Sequence, residues 1–247
     1  MCFDLDSLPP IPAIEGGAVG HEDLVLEAAD GNRFAAFAAE PEEPGGKGVV
    51  VLPDVRGLYR FYEELALRFA ERGISAVAID YFGRTAGVGK RGDDFDYMSH
   101  VEQTTPDGIK ADVRAAVEHL RPSAGSVFTV GFCFGGRYSW ISAAEGHGLA
   151  GAVGFYGNPQ EREWPGPIQR AAETECPILA LQAGADQNIT AEDNAAFEQA
   201  LAEAGVEHEL VTYEGAPHSF FDRKQEEFAD ASADAWQRTL DFIEKNS

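Results

Sequence analysis

Two kinds of hydrophobic pattern alternate along this chain. Short, continuously apolar runs such as Gly48–Leu52 and Ser75–Ile79 predict strands that are covered on both faces. Stretches such as Arg60–Glu71 and Asp107–Leu120 place apolar residues three or four positions apart, which predicts helices that bury one face. The same patterns predict strands at residues 126–131, 149–155, 177–183 and 207–213, helices at 135–144, 191–204 and 224–245, and long loops at 80–103 and 157–176.

The alternation of strands and helices predicts an α/β fold. In it, a mostly parallel central sheet carries helices on both faces, and an active site lies at the carboxyl ends of the strands. The start of the chain differs, because Asp23–Ala28 and Arg33–Ala39 predict a hairpin and the residues before it are rich in proline and glycine. We therefore predict an extended N-terminal arm over residues 1–21 and a single domain over residues 22–247.

The segment Gly131-Phe132-Cys133-Phe134-Gly135-Gly136 joins a predicted strand to a predicted helix. Its spacing is that of the G-x-S-x-G nucleophile elbow of α/β-hydrolases, with cysteine in place of serine. Small residues at the two glycine positions make room for a strained turn, and the N-terminus of the following helix favours a thiolate. We predict that Cys133 is a nucleophile, the alternative being a buried cysteine in a glycine-rich turn.

Two later loops offer partners for such a nucleophile. Asp186 follows the predicted strand at 177–183, and His218 follows the predicted strand at 207–213. A nucleophile needs a base, and the base needs an acid that orients it; the chain order nucleophile, acid, histidine is that of α/β-hydrolases. As alternatives, Asp186 is a turn or helix-cap residue and His218 is a surface histidine.

A tetrahedral intermediate would also need two backbone N–H donors. Phe134, immediately after the nucleophile, is one candidate. The other comes from the loop after Gly48–Leu52, where Pro53 has no N–H and Val55 is therefore the candidate.

These segments together resemble the dienelactone hydrolase family. GFCFGG around Cys133, GADQNIT around Asp186 and EGAPHSFFDR around His218 carry the resemblance, with DVRG at 54–57 and AIDYFGR at 78–84. It extends from about Glu22 to the C-terminus. It implies the α/β-hydrolase fold without a large cap domain, and hydrolysis of a lactone or small carboxylic ester through a Cys–Asp–His triad and a thioester acyl-enzyme. It implies no metal and no cofactor.

The resemblance also implies residues that bind substrate or activate the thiol. The family has a glutamate that engages the thiol at the position of Asp54, and arginines that hold the substrate carboxylate. The candidates for these roles in this sequence are Asp54, Arg56, Arg84 and Arg223, and the candidates for an aromatic pocket wall are Tyr156 and Phe220. The alternatives are surface ion pairs for the arginines and core packing for the aromatic residues.

The charge of the chain narrows the set of partners. Nineteen Lys and Arg residues stand against 42 Asp and Glu residues, which gives a formal net charge of −23. Such a chain repels nucleic acid and anionic membranes, so we expect neither as a partner and expect a small-molecule ester or lactone instead. We find no signal-peptide pattern and no apolar run long enough to span a membrane, and expect a cytoplasmic location. The oligomeric state stays open.

The cysteines leave a second class of function open. Cys2, Cys133 and Cys176 are too few for a disulfide framework. A reactive Cys133 would also suit a thiol-based redox or sensor protein, although no resolving cysteine lies near it in sequence. A carboxylesterase with an unrelated substrate and a non-catalytic binding domain are further alternatives.

Overall fold

The structure, a computed structural model, describes residues 4, 6–14, 19–92 and 94–247. Within these residues one sheet contains the strands β1 (Val19–Glu27), β2 (Arg33–Pro41), β3 (Lys47–Leu52), β4 (Ile74–Ile79), β5 (Ser126–Phe132), β6 (Gly151–Phe155), β7 (Ile178–Ala183) and β8 (His208–Tyr213). They lie in the order β1-β2-β4-β3-β5-β6-β7-β8. β2 pairs antiparallel with β1 and β4, and all later neighbours are parallel. The predicted mostly parallel sheet is confirmed.

Helices cover both faces of this sheet. They are α1 (Arg60–Ala70), α2 (Gly83–Ala86), α3 (Tyr97–Val101), α4 (Pro106–Leu120), α5 (Phe134–Ser142), α6 (Ala191–Glu203) and α7 (Ala229–Lys245). α1 and α7 meet on one face, where the ring centroids of Phe69 and Trp236 lie 4.7 Å apart. α4, α5 and α6 pack on the other face.

β7 shows why the central strands are predominantly apolar. Its Leu179 and Leu181 belong to the core cluster under α1 and α7, whereas Ile178 and Ala180 belong to the cluster under α6. Successive side chains of a strand point to opposite faces, so a strand covered on both faces has few polar positions. Gln182 is such an exception, and its amide donates hydrogen bonds to the carbonyl of Gly157 and the side chain of Asn194. The continuous apolar runs in the sequence report this double burial.

The start of α6 is fixed by side chains. The Thr190 hydroxyl accepts a hydrogen bond from the backbone N–H of Asp193 (3.1 Å), and the Asp193 carboxylate accepts one from the N–H of Thr190 (2.8 Å). This capping box satisfies N–H groups that a helix start leaves without intrahelical partners. It also anchors the far end of the loop that follows β7.

One predicted boundary and one predicted loop were wrong. β1 begins at Val19, where it pairs with Pro41, so the predicted arm over residues 1–21 ends too late. The predicted loop at 80–103 contains α2 and α3, neither of which has a buried residue. A helix without a buried face leaves no apolar periodicity in the sequence, which explains the error. The single-domain organisation of residues 22–247 stays a prediction.

The described part of the arm lies against the body of the protein. Ile11 is buried in the core cluster under α1, and the buried hydroxyl of Ser7 donates to the Asp222 carboxylate at 2.5 Å. The backbone N–H of Arg223 donates to the carbonyl of Leu8 at 3.2 Å. The arm is thus held by the segment between β8 and α7. Across the described residues, no helix combines the length and apolar character that a membrane span requires.

Candidate active site

Cys133 lies on the sharp turn between β5 and α5. Its backbone has φ 55° and ψ −109°, in a region that a residue with a side chain adopts only under strain. A Cβ on Gly131 would lie 2.0 Å from the carbonyl oxygen of Gly135, and a Cβ on Gly135 would lie 2.1 Å from that of Leu52. Close backbone packing therefore requires glycine at both positions, and it fixes the thiol at the end of the sheet.

Asp186 and His218 lie in the loops after the neighbouring parallel strands β7 and β8. Nδ1 of His218 is 2.5 Å from Oδ2 of Asp186. The two loops are also joined through their backbones, because the N–H of Ala185 donates to the carbonyl of Ala216 at 2.9 Å. The pairing that the sequence suggested by chain order is present as a direct hydrogen bond.

The environment keeps the Asp186 carboxyl ionised. Burial alone would raise its pKa, but hydrogen bonds from His218 and from the backbone N–H groups of Asn188 and Ile189 outweigh burial and lower the pKa. The N–H of Asn188 lies 2.8 Å from Oδ1. A permanently ionised carboxylate at this position can fix the orientation of the imidazole and stabilise its protonated form.

Cys133 and His218 line one cavity of about 480 Å³. Val55 and Phe134, the predicted oxyanion donors, line the same cavity. Phe134 is the first residue of α5, so its N–H has no intrahelical carbonyl partner. Tyr156 completes this group, with its ring centroid 5.0 Å from that of His218. Residues from four separate strand ends thus meet around one space.

Asp54 lies in the loop after β3, with its carboxylate fully buried. Oδ1 accepts a hydrogen bond from the backbone N–H of Arg56 (2.8 Å), and Oδ2 accepts one from the hydroxyl of Tyr59 (3.2 Å). Burial raises the pKa of Asp54 to about 6 despite these hydrogen bonds and the charge of Arg56, which act in the opposite direction. Asp54 is therefore a carboxyl that changes its protonation close to neutral pH.

Tyr81 is a buried phenol beside the loop that contains Asp54. Its hydroxyl donates to the carbonyl oxygen of Pro53 at 2.8 Å. Burial raises the pKa of Tyr81 well above its usual value, and the nearby charges of Asp54 and Cys133 contribute to the same rise. Asp54 and Cys133 are consequently both electrostatic neighbours of one buried phenol.

Three other predicted substrate contacts, Arg84, Arg223 and Phe220, have other roles or lie elsewhere. Arg84 donates to Asp112 (2.5 Å) and Asp30 (2.6 Å), which is the ion-pair alternative, and it does not line the Cys133 cavity. Arg223 lines a different cavity beside the arm. Phe220 is fully buried, with its ring centroid 5.6 Å from that of Tyr156, and serves as core packing.

The cavity-wall residues that sequence reasoning missed include Arg137, Met98 and Trp164. Arg137 lies four positions after Cys133, so it shares a face of α5 with the start of the helix, and this spacing was an available signal. Met98 and Trp164 lie on a five-residue helix and in a loop, where no periodic pattern marks them.

The second cysteine that the structure describes is not a reactive one. Cys176 is buried under α6, and burial raises its pKa to about 12, which leaves it a poor thiolate. No grouping of three or more His, Cys, Asp or Glu side chains that could hold a metal ion is found among the described residues.

The model of the dienelactone hydrolase family matches residues 34–247. The chain belongs to the dienelactone hydrolase family. The carboxymethylenebutenolidase of Rhodococcus opacus is 28% identical, over 99% of this chain and 97% of the relative. A protein of Escherichia coli K12, provisionally named carboxymethylenebutenolidase, is 27% identical over 88% of this chain and 84% of its own length.

A solved structure shows the fold of this family directly. A provisionally named dienelactone hydrolase from Klebsiella pneumoniae superposes with a TM-score of 0.81, at 24% identity, over 92% of this chain and 98% of that one. The predicted α/β-hydrolase fold is confirmed. As a member of the dienelactone hydrolase family, the chain is a hydrolase of the lactone and ester class, as the resemblance implied.

Proposed function

We propose that the chain hydrolyses a lactone or small carboxylic ester through a Cys133–Asp186–His218 triad and a thioester acyl-enzyme. One observation carries this proposal. The 2.5 Å hydrogen bond between Asp186 and His218 stands beside a cysteine on a strained elbow, and the histidine shares a cavity with that cysteine. A serine-type triad needs the same three roles in the same order.

Acylation of Cys133 is the first half of the reaction. The Sγ thiolate attacks the carbonyl carbon, the C–S bond forms, and the carbonyl oxygen becomes an oxyanion that the N–H groups of Val55 and Phe134 stabilise. Collapse of this intermediate breaks the ester C–O bond. The leaving alkoxide takes the proton of the His218 imidazolium, whose orientation and charge Asp186 supports.

Hydrolysis of the thioester completes the cycle. His218 removes a proton from a water molecule, whose oxygen attacks the thioester carbonyl carbon. The second oxyanion collapses with cleavage of the C–S bond, which releases the carboxylic acid and returns the sulfur as thiolate. In a lactone, the alcohol and the acid produced are two ends of one product molecule.

In this proposal Asp54 acts on the thiol of Cys133. Both groups neighbour Tyr81, and a carboxyl with a pKa of about 6 is able to accept a proton near neutral pH. Ionised Asp54 would take the proton of the resting thiol and return it to neutral His218, which gives the thiolate–imidazolium pair from which acylation starts. Hydrogen bonds from Arg56 and Tyr59 would hold the Asp54 carboxylate in place.

The test is turnover of 4-nitrophenyl acetate and an uncharged lactone, followed by mass spectrometry of the quenched enzyme. We expect turnover and an acyl adduct on the peptide that contains Cys133. Cys133→Ala should abolish both, whereas Cys176→Ala, which removes the other described thiol, should retain both. A folded protein that neither turns over any ester nor becomes acylated would refute the proposed function.

A further inference from the structure

Two large hydrophobic side chains remain exposed at the cavity that contains Cys133. Met98 of α3 is 49% exposed and Trp164, in the segment after β6, is 46% exposed, yet both line this cavity. Exposed hydrophobic residues scattered singly need no explanation. Here two separate segments of the chain present them to the same space, and Val101 and Ile189 extend the apolar lining.

The position of Trp164 is fixed by Arg137. The guanidinium of Arg137 donates to the carbonyl oxygens of Asn158 (3.1 Å), Gln160 and Trp164 (3.2 Å). These bonds tie the Trp164 segment to α5, the helix whose first turn carries the nucleophile. Because the backbone of this segment is held in advance, less conformational entropy is lost when the Trp164 side chain binds a ligand.

The charges around the cavity do not favour an anion. Its lining contains two acidic residues, Glu102 and Glu163, against two basic ones, Arg137 and Arg162. Arg137 already donates to three carbonyls, and Arg84, a predicted partner for a carboxylate, is bound to two aspartates instead. A negatively charged substrate would also meet the field of a chain with net charge −23.

We propose that Met98, Val101, Trp164 and Ile189 form an apolar subsite that binds an alkyl or aromatic group of an uncharged ester. The substrate class is then a neutral ester with an apolar acyl or alcohol part, rather than a lactone that bears a carboxylate. This inference rests on the proposed function, because it places the subsite beside Cys133.

The experiment compares kcat/KM across two series of neutral esters. The acyl part varies from 4-nitrophenyl acetate to hexanoate, and the alcohol part varies from phenyl to 2-naphthyl acetate. Burial of each added methylene should raise kcat/KM by about threefold in the series whose apolar part enters the subsite. The mono-4-nitrophenyl ester of glutaric acid, similar in length to the hexanoate but anionic, should react at least tenfold more slowly.

Trp164→Ala should lower kcat/KM for the longest neutral ester about tenfold, mainly through KM, and lower that for phenyl acetate, whose apolar part is smaller, by a smaller factor. Trp164→Phe should retain most of the preference, and Met98→Ala should weaken it. Val25→Ala is the matched control, because Val25 is also 46% exposed but lies on β1, away from the cavity. It should change nothing.

The inference is overturned if the anionic ester reacts faster than its neutral counterpart, if neither series depends on size, or if Trp164→Ala leaves the dependence intact. Failure of the proposed function looks different, since every ester is then inert. In that case calorimetry of phenyl hexanoate with Cys133→Ala still tests the subsite. Binding that Trp164→Ala weakens supports it, and the absence of binding refutes it.

Discussion

Asp186, after β7, and Asp54, after β3, present carboxylates on two sides of the Cys133 site, and in both cases the side chain is almost completely buried. The pKa of Asp186 is lowered, because hydrogen bonds from an imidazole and backbone N–H groups outweigh burial. The pKa of Asp54 is raised to about 6, because burial outweighs a backbone N–H, the phenols of Tyr59 and Tyr62 and the nearby Arg56. The balance between burial and hydrogen bonding decides which carboxylate stays ionised and which exchanges a proton near neutral pH.

The largest effect on kcat/KM should come from substitution of Asp186, the carboxylate that stays ionised. Asp186→Asn keeps the shape of the side chain but loses the charge that orients and stabilises protonated His218. We expect kcat/KM for 4-nitrophenyl acetate to fall about 10³- to 10⁴-fold with the fold intact. Asp193→Asn, at the start of α6, should change it less than twofold. A loss below tenfold for Asp186→Asn would contradict the role assigned to this carboxylate.

Asp54→Asn should have a smaller effect of a different kind. Removal of the ionisable group should lower kcat/KM about tenfold. It should also alter the pH profile, because Asp54 is protonated below about pH 6 and ionised above it. We expect the wild-type rate to fall as the pH falls through this region, and the variant to lose the part of that fall due to Asp54. Identical profiles would mean that Asp54 has no part in activation.

The same substitution should increase stability at high pH. The folded-state pKa of Asp54, about 6, lies above the ordinary value of 3.8, so the folded protein binds this proton more tightly than the unfolded chain. Its ionisation therefore destabilises the fold as the pH rises through 4 to 6. Denaturant unfolding of Asp54→Asn should show a gain that is about 3 kcal/mol larger at pH 8 than at pH 4, because each pKa unit corresponds to about 1.4 kcal/mol. A gain of equal size at both pH values would exclude this cause.

The smallest effect on kcat/KM should follow removal of one hydrogen-bond donor to Asp54. Tyr59→Phe deletes the hydroxyl that lies 3.2 Å from Oδ2 of Asp54 and should raise the Asp54 pKa further. In the pH profile of kcat/KM, the midpoint of the fall on the acidic side (the acidic limb) should move upward by about half a pH unit. We expect kcat/KM at pH 8 to change less than about twofold. Tyr213→Phe, which loses a hydrogen bond to Asp234 elsewhere, should leave the limb unmoved.

The sequence predicted those parts of the molecule that local physics determines. Central strands buried on both faces have few polar positions. The elbow around Cys133 needs glycine at two positions, because a Cβ there would lie about 2 Å from a backbone oxygen. The order of Asp186 and His218 after two strands sufficed to predict their meeting, because neighbouring parallel strands end together.

What the sequence could not give depends on partners far away in the chain. Arg84 looked like a substrate contact because it follows β4. Its hydrogen bonds to Asp30 and Asp112 join residues that are distant in sequence, so the sequence around Arg84 does not indicate them. Trp164 lies in a segment without periodicity, and its position depends on Arg137 from another element. The raised pKa of Asp54 likewise reflects burial that only the assembled core produces.

The N-terminal arm adds a consequence for biosynthesis. Ser7 bonds to Asp222 across 215 positions of sequence, four residues beyond His218, and Leu8 accepts from Arg223. During synthesis, the arm can therefore bind only after Asp222, 215 positions further along, has been made. The segment just after His218 consequently acquires its contacts with the arm late in folding.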